Sequence, residues 1–370
     1  MVIRRIELTD FRNYERETFE LSDGVTAVTG KNAQGKTSLA EAMSYLATLR
    51  SFRGAPNEVL VRKGCDSAYV RADIRQEDGR EILVEAEINR MGRNKVLVNK
   101  QRLQRVRDLL GIVRATVFSP DDLALINDGP SVRREFMNDA LVALAIKNDA
   151  LCAEVDRVVR QRNVVLKQAN GRVTDEIAMT LDVWDEKLAE LGTRLGDARA
   201  RLVAQLGPHV LTAYEALAGM PTPVELVYEP EWRRPGLAAA IAAARPDDVR
   251  RGVSTVGPHR DELEIFLKGM PAKTTGSQGE CRTLALALRL AVHRLVTETA
   301  GEAPLLVLDD VLSELDNDRA AALLGHLPAG QVIITTAGTL PPAARPDTVV
   351  TIADGTVVRS EEHTSELQSH

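Results

Sequence analysis

Cysteine is nearly missing from this chain: three among 370 residues, Cys65, Cys152 and Cys281, odd in number and far apart. That excludes a disulfide framework and a zinc site, and makes a reducing cytoplasm the expected compartment. Apolar runs are short, none reaching the roughly 18 residues of a membrane span. The start is charged at Arg4 and Arg5, with no signal-peptide core behind them. A membrane partner is therefore not expected. Aromatics make up only 4% of the chain, too few for a surface that stacks bases. A positive surplus is missing too. The net charge of −6 excludes a protein coated in nucleic acid all round, but not local basic patches. Lysine is scarce, ten residues against 37 arginines, a bias that GC-rich coding explains without any special function.

What is present is ordinary globular material: 44% hydrophobic and 27% charged residues, enough for a real core. At roughly 100–200 residues per domain, the length fits two domains or one with a large insertion. The first third alternates as mixed α/β. Strands are predicted at Val2–Leu8, Thr18–Leu21, Val25–Thr29, Ala68–Arg75, Glu81–Ile88, Val96–Val98 and Ala115–Phe118, with a helix at Thr37–Leu49. From about Pro130 the texture turns helical. Arg133–Gln168 and Asp175–Leu206 carry apolar residues at three-to-four spacing, with a turn at Asn170-Gly171. After Glu262 strands and helices alternate again: Glu264–Leu267, Arg282–Thr299, Leu305–Leu308, Asp318–Leu327 and Val332–Thr335. Residues 359–370 resemble the translation of a sequencing-library adapter and read as a non-native tail, so His363 and His370 are set aside as ligands.

Two motifs carry chemistry. Gly30-Lys31-Asn32-Ala33-Gln34-Gly35-Lys36-Thr37 fits the phosphate-binding loop at every fixed position, between a predicted strand and helix. Glycines let backbone N–H groups wrap phosphates, Lys36 reaches the β and γ phosphates, and the Thr37 hydroxyl ligates Mg²⁺. The second is Leu305-Leu306-Val307-Leu308-Asp309-Asp310, a buried parallel strand ending in carboxylates. Asp309 would hold Mg²⁺, and Asp310 would orient the attacking water. Lys36 and Asp309 lie 273 residues apart, far more than in helicase-type ATPases, so a long insertion divides one nucleotide site. Just before the second motif, Ser277-Gln278-Gly279-Glu280 opens a helix. Alone this sequence also fits a helix cap; by position it is an ABC signature, and Ser313-Glu314-Leu315-Asp316 follows as the D-loop.

These segments, with Thr9–Tyr14, Phe118–Leu123 and Gly257-Pro258-His259-Arg260-Asp261, occur in the order found in bacterial RecF, and over about 1–358 the chain resembles that family of SMC-like ABC ATPases. The resemblance implies an α/β fold: an ABC-type P-loop ATPase head, a mixed sheet lobe plus helices, with an inserted helical arm. The expected division is 1–125 and 256–358 for the head and 126–255 for the helical insert (lobe II). It implies ATP and Mg²⁺ as cofactors and a homodimer in which each γ-phosphate lies between one subunit's phosphate loop and the other's Ser277, Gly279 and Glu280. It also implies binding to single-stranded and double-stranded (gapped) DNA, work with RecO and RecR to load RecA, and, for Arg12, a nucleotide contact.

Departures from the wider pattern matter. Thr335-Thr336-Ala337 stands where ABC ATPases carry a switch histidine, and Phe118–Leu123 holds no glutamine, leaving Asp121 and Asp122 as candidates for that contact. Asp310 is one methylene shorter than the usual glutamate, which fits slow hydrolysis. For DNA, Arg90, Arg93, Lys95, Lys100, Arg102, Arg105 and Arg107 form a run with no acid between Ile88 and Asp108. It reads equally as a phosphate-neutralising patch or a solvated hairpin face. Arg102, Arg105 and Arg107 are its main candidates, with Arg50 and Arg53 beside them. His259 fits a structural turn. The rivals are a transporter ATPase subunit, a nuclease-partner SMC-like ATPase and a binding module with a vestigial site. The gap of about 240 residues between Lys36 and Ser277, the short helical insert without a metal-binding apex and the intact Lys36, Thr37 and Asp309 oppose them in turn.

Overall fold

The computed structural model describes residues 1–362, with side chains to residue 358. The chain begins β1 (Val2–Phe11), β2 (Tyr14–Glu20), β3 (Val25–Thr29), α1 (Lys36–Thr48), α2 (Asn57–Leu60), β4 (Ser67–Arg75), β5 (Glu81–Asn89), β6 (Lys95–Val98), β7 (Gln101–Arg102) and β8 (Ala115–Phe118). The middle holds α3 (Ala124–Asn127), α4 (Pro130–Leu144), α5 (Lys147–Ala169), α6 (Asp175–Ala218), β9 (Val224–Val227), α7 (Leu237–Arg251), β10 (Glu264–Leu267), β11 (Met270–Pro271) and α8 (Ala272–Thr275). It closes with α9 (Gln278–Ala300), β12 (Leu305–Asp309), α10 (Asn317–Gly325), β13 (Val332–Thr336), β14 (Thr348–Ala353) and β15 (Thr356–Glu362).

Two compact units result. The first comprises Met1–Leu123, Thr212–Pro221 and the chain from Arg282 on; the second comprises Ala124–Leu211 and Thr222–Cys281. The first unit contains two six-stranded sheets. One, ordered β2-β1-β4-β5-β6-β7, is antiparallel throughout, and β4 alternates buried and exposed residues as a one-sided sheet should. The other, ordered β15-β14-β3-β13-β12-β8, is parallel except for the β14–β15 hairpin. Its strands β12 and β13 are buried at every residue, which explains their apolar runs Leu305–Leu308 and Val332–Ile334 ahead of the polar strand ends. Helix α1 shares one core with both sheets: Leu39, Met43 and Leu46 pack in a cluster with Ile6 and Leu8 of β1 and Val307 of β12. Each such fully buried side chain contributes about 1.5–3 kcal/mol.

The second unit packs helices around a small core of Val165, Leu166, Ala169, Leu181 and Val249, against which Trp184 lies. Arg162, fully buried, ties α5 to α6 and α7 through Asp185 and Asp248, both at 2.6 Å. The antiparallel sheet β11-β10-β9 completes the unit. Because β10 pairs with β9, residues 256–281 group with the helices, so the compact unit ends at Cys281 and not at 255. The helical tract expected at 133–168 is broken at Ala145-Ile146 into α4 and α5. The second tract runs on through Pro208 to Ala218. The backbone of 359–362, read from sequence as tail, pairs with β14; the remainder of that segment lies outside the described residues. Among the described residues no helix is long and apolar enough to cross a membrane.

Candidate functional site: a phosphate loop at the carboxyl edge of the parallel sheet

Strand register decides what meets at the loop. Thr29, the last residue of β3, pairs with Thr336 of β13, and Thr335 pairs with Asp309 of β12. Three strand ends thus deliver their side chains to one edge, the carboxyl edge where parallel sheets bind ligands. The chain then passes from Thr29 through Gly30–Gly35 into α1. Gly30 and Gly35 adopt φ of +148° and +120°, values open to glycine and costly for other residues. A Cβ on Gly35 would lie 2.5 Å from the Tyr14 hydroxyl, and one on Gly30 would collide with the Ile352 carbonyl.

The loop is braced from outside. Tyr14 donates its hydroxyl to the Gly35 carbonyl at 2.8 Å, and burial raises that phenol's pKa, keeping it a donor. The Gln34 carbonyl accepts from Asn13 Nδ2 and from the Gly355 N–H, both at 3.1 Å, while the Gln34 side chain accepts from the Asp354 N–H. Gln34 is therefore held by the β14–β15 turn. Inside, Lys36 Nζ donates to the carbonyls of Gly30 and Lys31 at 2.8 Å each. Burial lowers its pKa, while Asp310 and Asp309 pull the other way. At the start of α1, the N–H groups of the first turn have no acceptor within the helix.

Asp309 is buried, and its Oδ1 accepts from Thr335 Oγ1 at 2.6 Å and from Thr37 Oγ1 at 3.1 Å. Burial raises its pKa, partly offset by the two hydroxyls, and a cation placed there would oppose that shift. The donors are hard oxygens, the kind Mg²⁺ takes. Among the described residues no group of three or more His, Cys, Asp or Glu could hold a metal alone. A cation at Thr37 and Asp309 would thus depend on further oxygens from a nucleotide. Asp310 follows in the left-handed region at φ +53°, a conformation costing about 1–2 kcal/mol. Two bonds from its N–H to Thr335, to the carbonyl at 3.1 Å and the hydroxyl at 3.0 Å, hold it there. Ser313 of the D-loop segment donates to the Asp310 carboxylate at 2.7 Å, and Asp316 caps α10.

A cleft of about 700 Å³ lies over this edge, bordered by Asn32, Ala33, Gly35, Lys36, Thr37 and Asp310. Arg12, the residue for which the resemblance implies a nucleotide contact, also lines it, at 16% side-chain exposure. So does Arg53, which sequence placed among DNA candidates; its field also lowers the Asp309 pKa. Lys63 and Arg90 line it as well. Lys63 sits in a turn that no motif marks, and Arg90 is held by the carbonyls of Val61, Arg62 and Cys65. Asp122 is taken up by Arg289, at 2.5 Å, and by the Ser119 N–H; Asp121 is exposed.

In the second unit, Ser277 and Glu280 form a reciprocal cap. Ser277 Oγ donates to Glu280 Oε2 at 2.8 Å, and the Glu280 N–H donates to Ser277 Oγ at 3.3 Å. Lys268 bonds the same carboxylate at 2.6 Å, and these contacts hold its pKa down at about 2. Ser277 is exposed and Gly279 half-buried. His259 bonds the Ser254 carbonyl at 3.0 Å within a turn. The basic run does not act as a block: Arg90 serves backbone carbonyls and Lys95 pairs with Glu87 at 2.7 Å. Arg102, Arg105, Arg107 and Arg50 are exposed.

The family model for the RecF/RecN/SMC N terminal domain matches residues 2–352. The DNA replication and repair protein RecF of Streptomyces avermitilis is 41% identical over 378 residues, spanning 97% of this chain and 100% of that protein. RecF of Acidothermus cellulolyticus is 40% identical over 352 residues, spanning 91% and 94%. The solved structure of the recombination mediator protein RecF-ATPrS in the RecFOR pathway superposes with a TM-score of 0.88 at 30% identity, covering 96% of this chain and 97% of that one. An Smc head domain from Pyrococcus furiosus aligns at a TM-score of 0.58 and 17% identity, over 97% and 96%, a likeness of fold alone.

Proposed function

We propose, from the premise that this chain belongs to the RecF family of SMC-like ATPases, that it is a slow, Mg²⁺-dependent ATPase whose ATP-bound dimer binds gapped DNA during recombinational repair. The observation that carries the reading is the meeting of Thr37, Asp309 and Thr335 in one hydrogen-bonded cluster at the mouth of the phosphate loop, with Asp310 beside it. In this reading Gly30–Gly35 wraps the phosphates and Lys36 exchanges its loop carbonyls for the β and γ phosphates. Thr37 and Asp309 would hold Mg²⁺, which would supply charge screening of the phosphates. Asp310, fixed by Thr335 and Ser313, orients water for attack. Ser277, Gly279 and Glu280 of one protomer close over the γ-phosphate held by its partner, so ATP joins the dimer. Work alongside RecO and RecR, to load RecA, is part of this reading, and the RecFOR pathway of the solved relative supports it.

Mobility shifts with single-stranded, duplex and gapped DNA, with and without Mg-ATP, test the reading. Binding that appears with ATP and is tightest on gapped DNA supports it; tight binding indifferent to ATP overturns it.

A further inference from the structure

We propose that Glu41 is the positioning residue of the nucleotide cleft, the single carboxylate from which both Arg12 and Arg53 are hung. The proposal rests on the nucleotide-binding reading above and adds a residue that no motif marks. Glu41 lies on α1 four residues after Thr37, one helical turn on and on the same face. It is fully buried among the mainly apolar buried side chains of that helix and is the one carboxylate there. A carboxylate so placed must be fully paired. Its Oε2 accepts Arg12 Nε at 2.5 Å; its Oε1 accepts Arg12 Nη2 at 2.6 Å and also the Ser51 hydroxyl.

The first arm fixes Arg12. Its backbone turns sharply at φ +55° between β1 and β2, and Nη1 donates to the Val59 carbonyl at 3.3 Å. A guanidinium has five N–H groups in a rigid fork. Glu41 takes two and Val59 one, leaving one on each terminal nitrogen for a phosphate. The second arm fixes the backbone of Arg53. The Ser51 hydroxyl that Glu41 holds also accepts the Arg53 N–H at 3.1 Å, and the Ser51 carbonyl accepts the Gly54 N–H at 3.1 Å. The turn that brings Arg53 to the cleft is thus built on the same carboxylate. The Arg12 side chain and the backbone that carries Arg53 to the cleft are thus ordered before a triphosphate arrives, and ordering in advance favours binding.

A merely structural ion pair would lower stability and leave the folded protein's affinity alone. Glu41→Gln, Arg12→Ala, Ser51→Ala and Arg53→Ala in the full chain, titrated with a fluorescent ATP analogue and with ATPγS beside unfolding midpoints, separate the two roles. Glu41→Gln and Arg12→Ala should each weaken binding by about tenfold or more, and together by no more than the worse of the two. Ser51→Ala should cost a few-fold, multiplying with Arg12→Ala but not with Arg53→Ala. Wild-type affinity in folded Glu41→Gln, or losses that multiply fully with Arg12→Ala, overturns the proposal. If Glu41→Gln does not fold, the Ser51/Arg53 pair decides, and fully multiplying losses there overturn it. Failure of the wild type to bind ATP overturns the nucleotide reading and this proposal together; intact wild-type binding with multiplying losses in the Glu41/Arg12 or Ser51/Arg53 pair overturns this proposal alone.

Discussion

The nucleotide cleft and the basic run of residues 90–107 are opposite cases of how sequence distance relates to a site. Thr37 and Asp309 are 272 residues apart and meet at 3.1 Å, because parallel pairing of β3, β13 and β12 brings their ends to one edge. The seven cations of the basic run are neighbours in sequence and are scattered in use. Arg90 binds backbone carbonyls, Lys95 pairs with Glu87, and Arg102 sits on the edge strand β7. Motifs whose chemistry fixes geometry survive folding intact; a run of like charge is dispersed by the alternation of strands.

The contrast breaks most severely at Lys36. Lys36→Met removes the buried cation of the loop, and ATP affinity should fall by at least about a hundredfold, read by nucleotide titration, with ATP-dependent DNA binding lost alongside. Unchanged ATP affinity would dissolve the cleft side of the comparison. The basic side is sharpened by salt. Replacing Arg102, Arg105 and Arg107 together by alanine should flatten the slope of log affinity against log salt by up to about 2.7, at about 0.9 for each phosphate no longer neutralised. Lys95→Ala, which frees Glu87, should leave that slope alone. An unchanged slope in the triple variant would move the DNA-binding surface elsewhere, first to Arg50.

The smallest effect belongs to a residue in neither region. His293 of α9 is buried with neither ring nitrogen hydrogen-bonded among the described residues, and burial lowers its pKa to about 4. Folding therefore favours the neutral ring. Its contribution is complete above the ordinary value near 6.5 and is lost as pH falls toward 4, by about 2 kcal/mol between pH 7 and 5. Urea midpoints at the two pH values should converge in His293→Leu relative to wild type. Equal acid sensitivity in both proteins would contradict the assignment.

Much of the cleft is legible in the sequence. Gly30–Thr37, Leu305–Asp309 and helix α1 are dictated by local composition, and the structure places them as read. Thr335 stands out in sequence only as the residue replacing a histidine; that it bonds Asp309 depends on strand register, which pairwise pattern does not specify. Glu41 has the look of an ordinary helix residue, and its burial against Arg12 and Ser51 comes from tertiary packing. Arg53 moves from the DNA candidates to the cleft only through the turn at Ser51. The break at Ala145-Ile146 is silent in sequence because helical periodicity continues across it. Pro208 does not stop α6, where propensity alone would have ended the helix. The unit boundary at Cys281 rests on β9–β10 pairing across more than thirty intervening residues, a long-range choice invisible to local reading.

The central claim is that the cleft of one protomer is completed by the Ser277 segment of another. Light scattering at matched ATP occupancy tests it with two variants. Asp310→Asn loses the carboxylate proposed to orient water but keeps Lys36, Thr37 and Asp309, so it should hold ATP and accumulate as a dimer. Ser277→Arg puts bulk and charge where the partner's γ-phosphate must fit, so it should bind ATP and stay monomeric. A mixture of the two should pair more weakly than Asp310→Asn alone. Monomeric Asp310→Asn with ATP bound, or normal dimers of Ser277→Arg, would contradict the account.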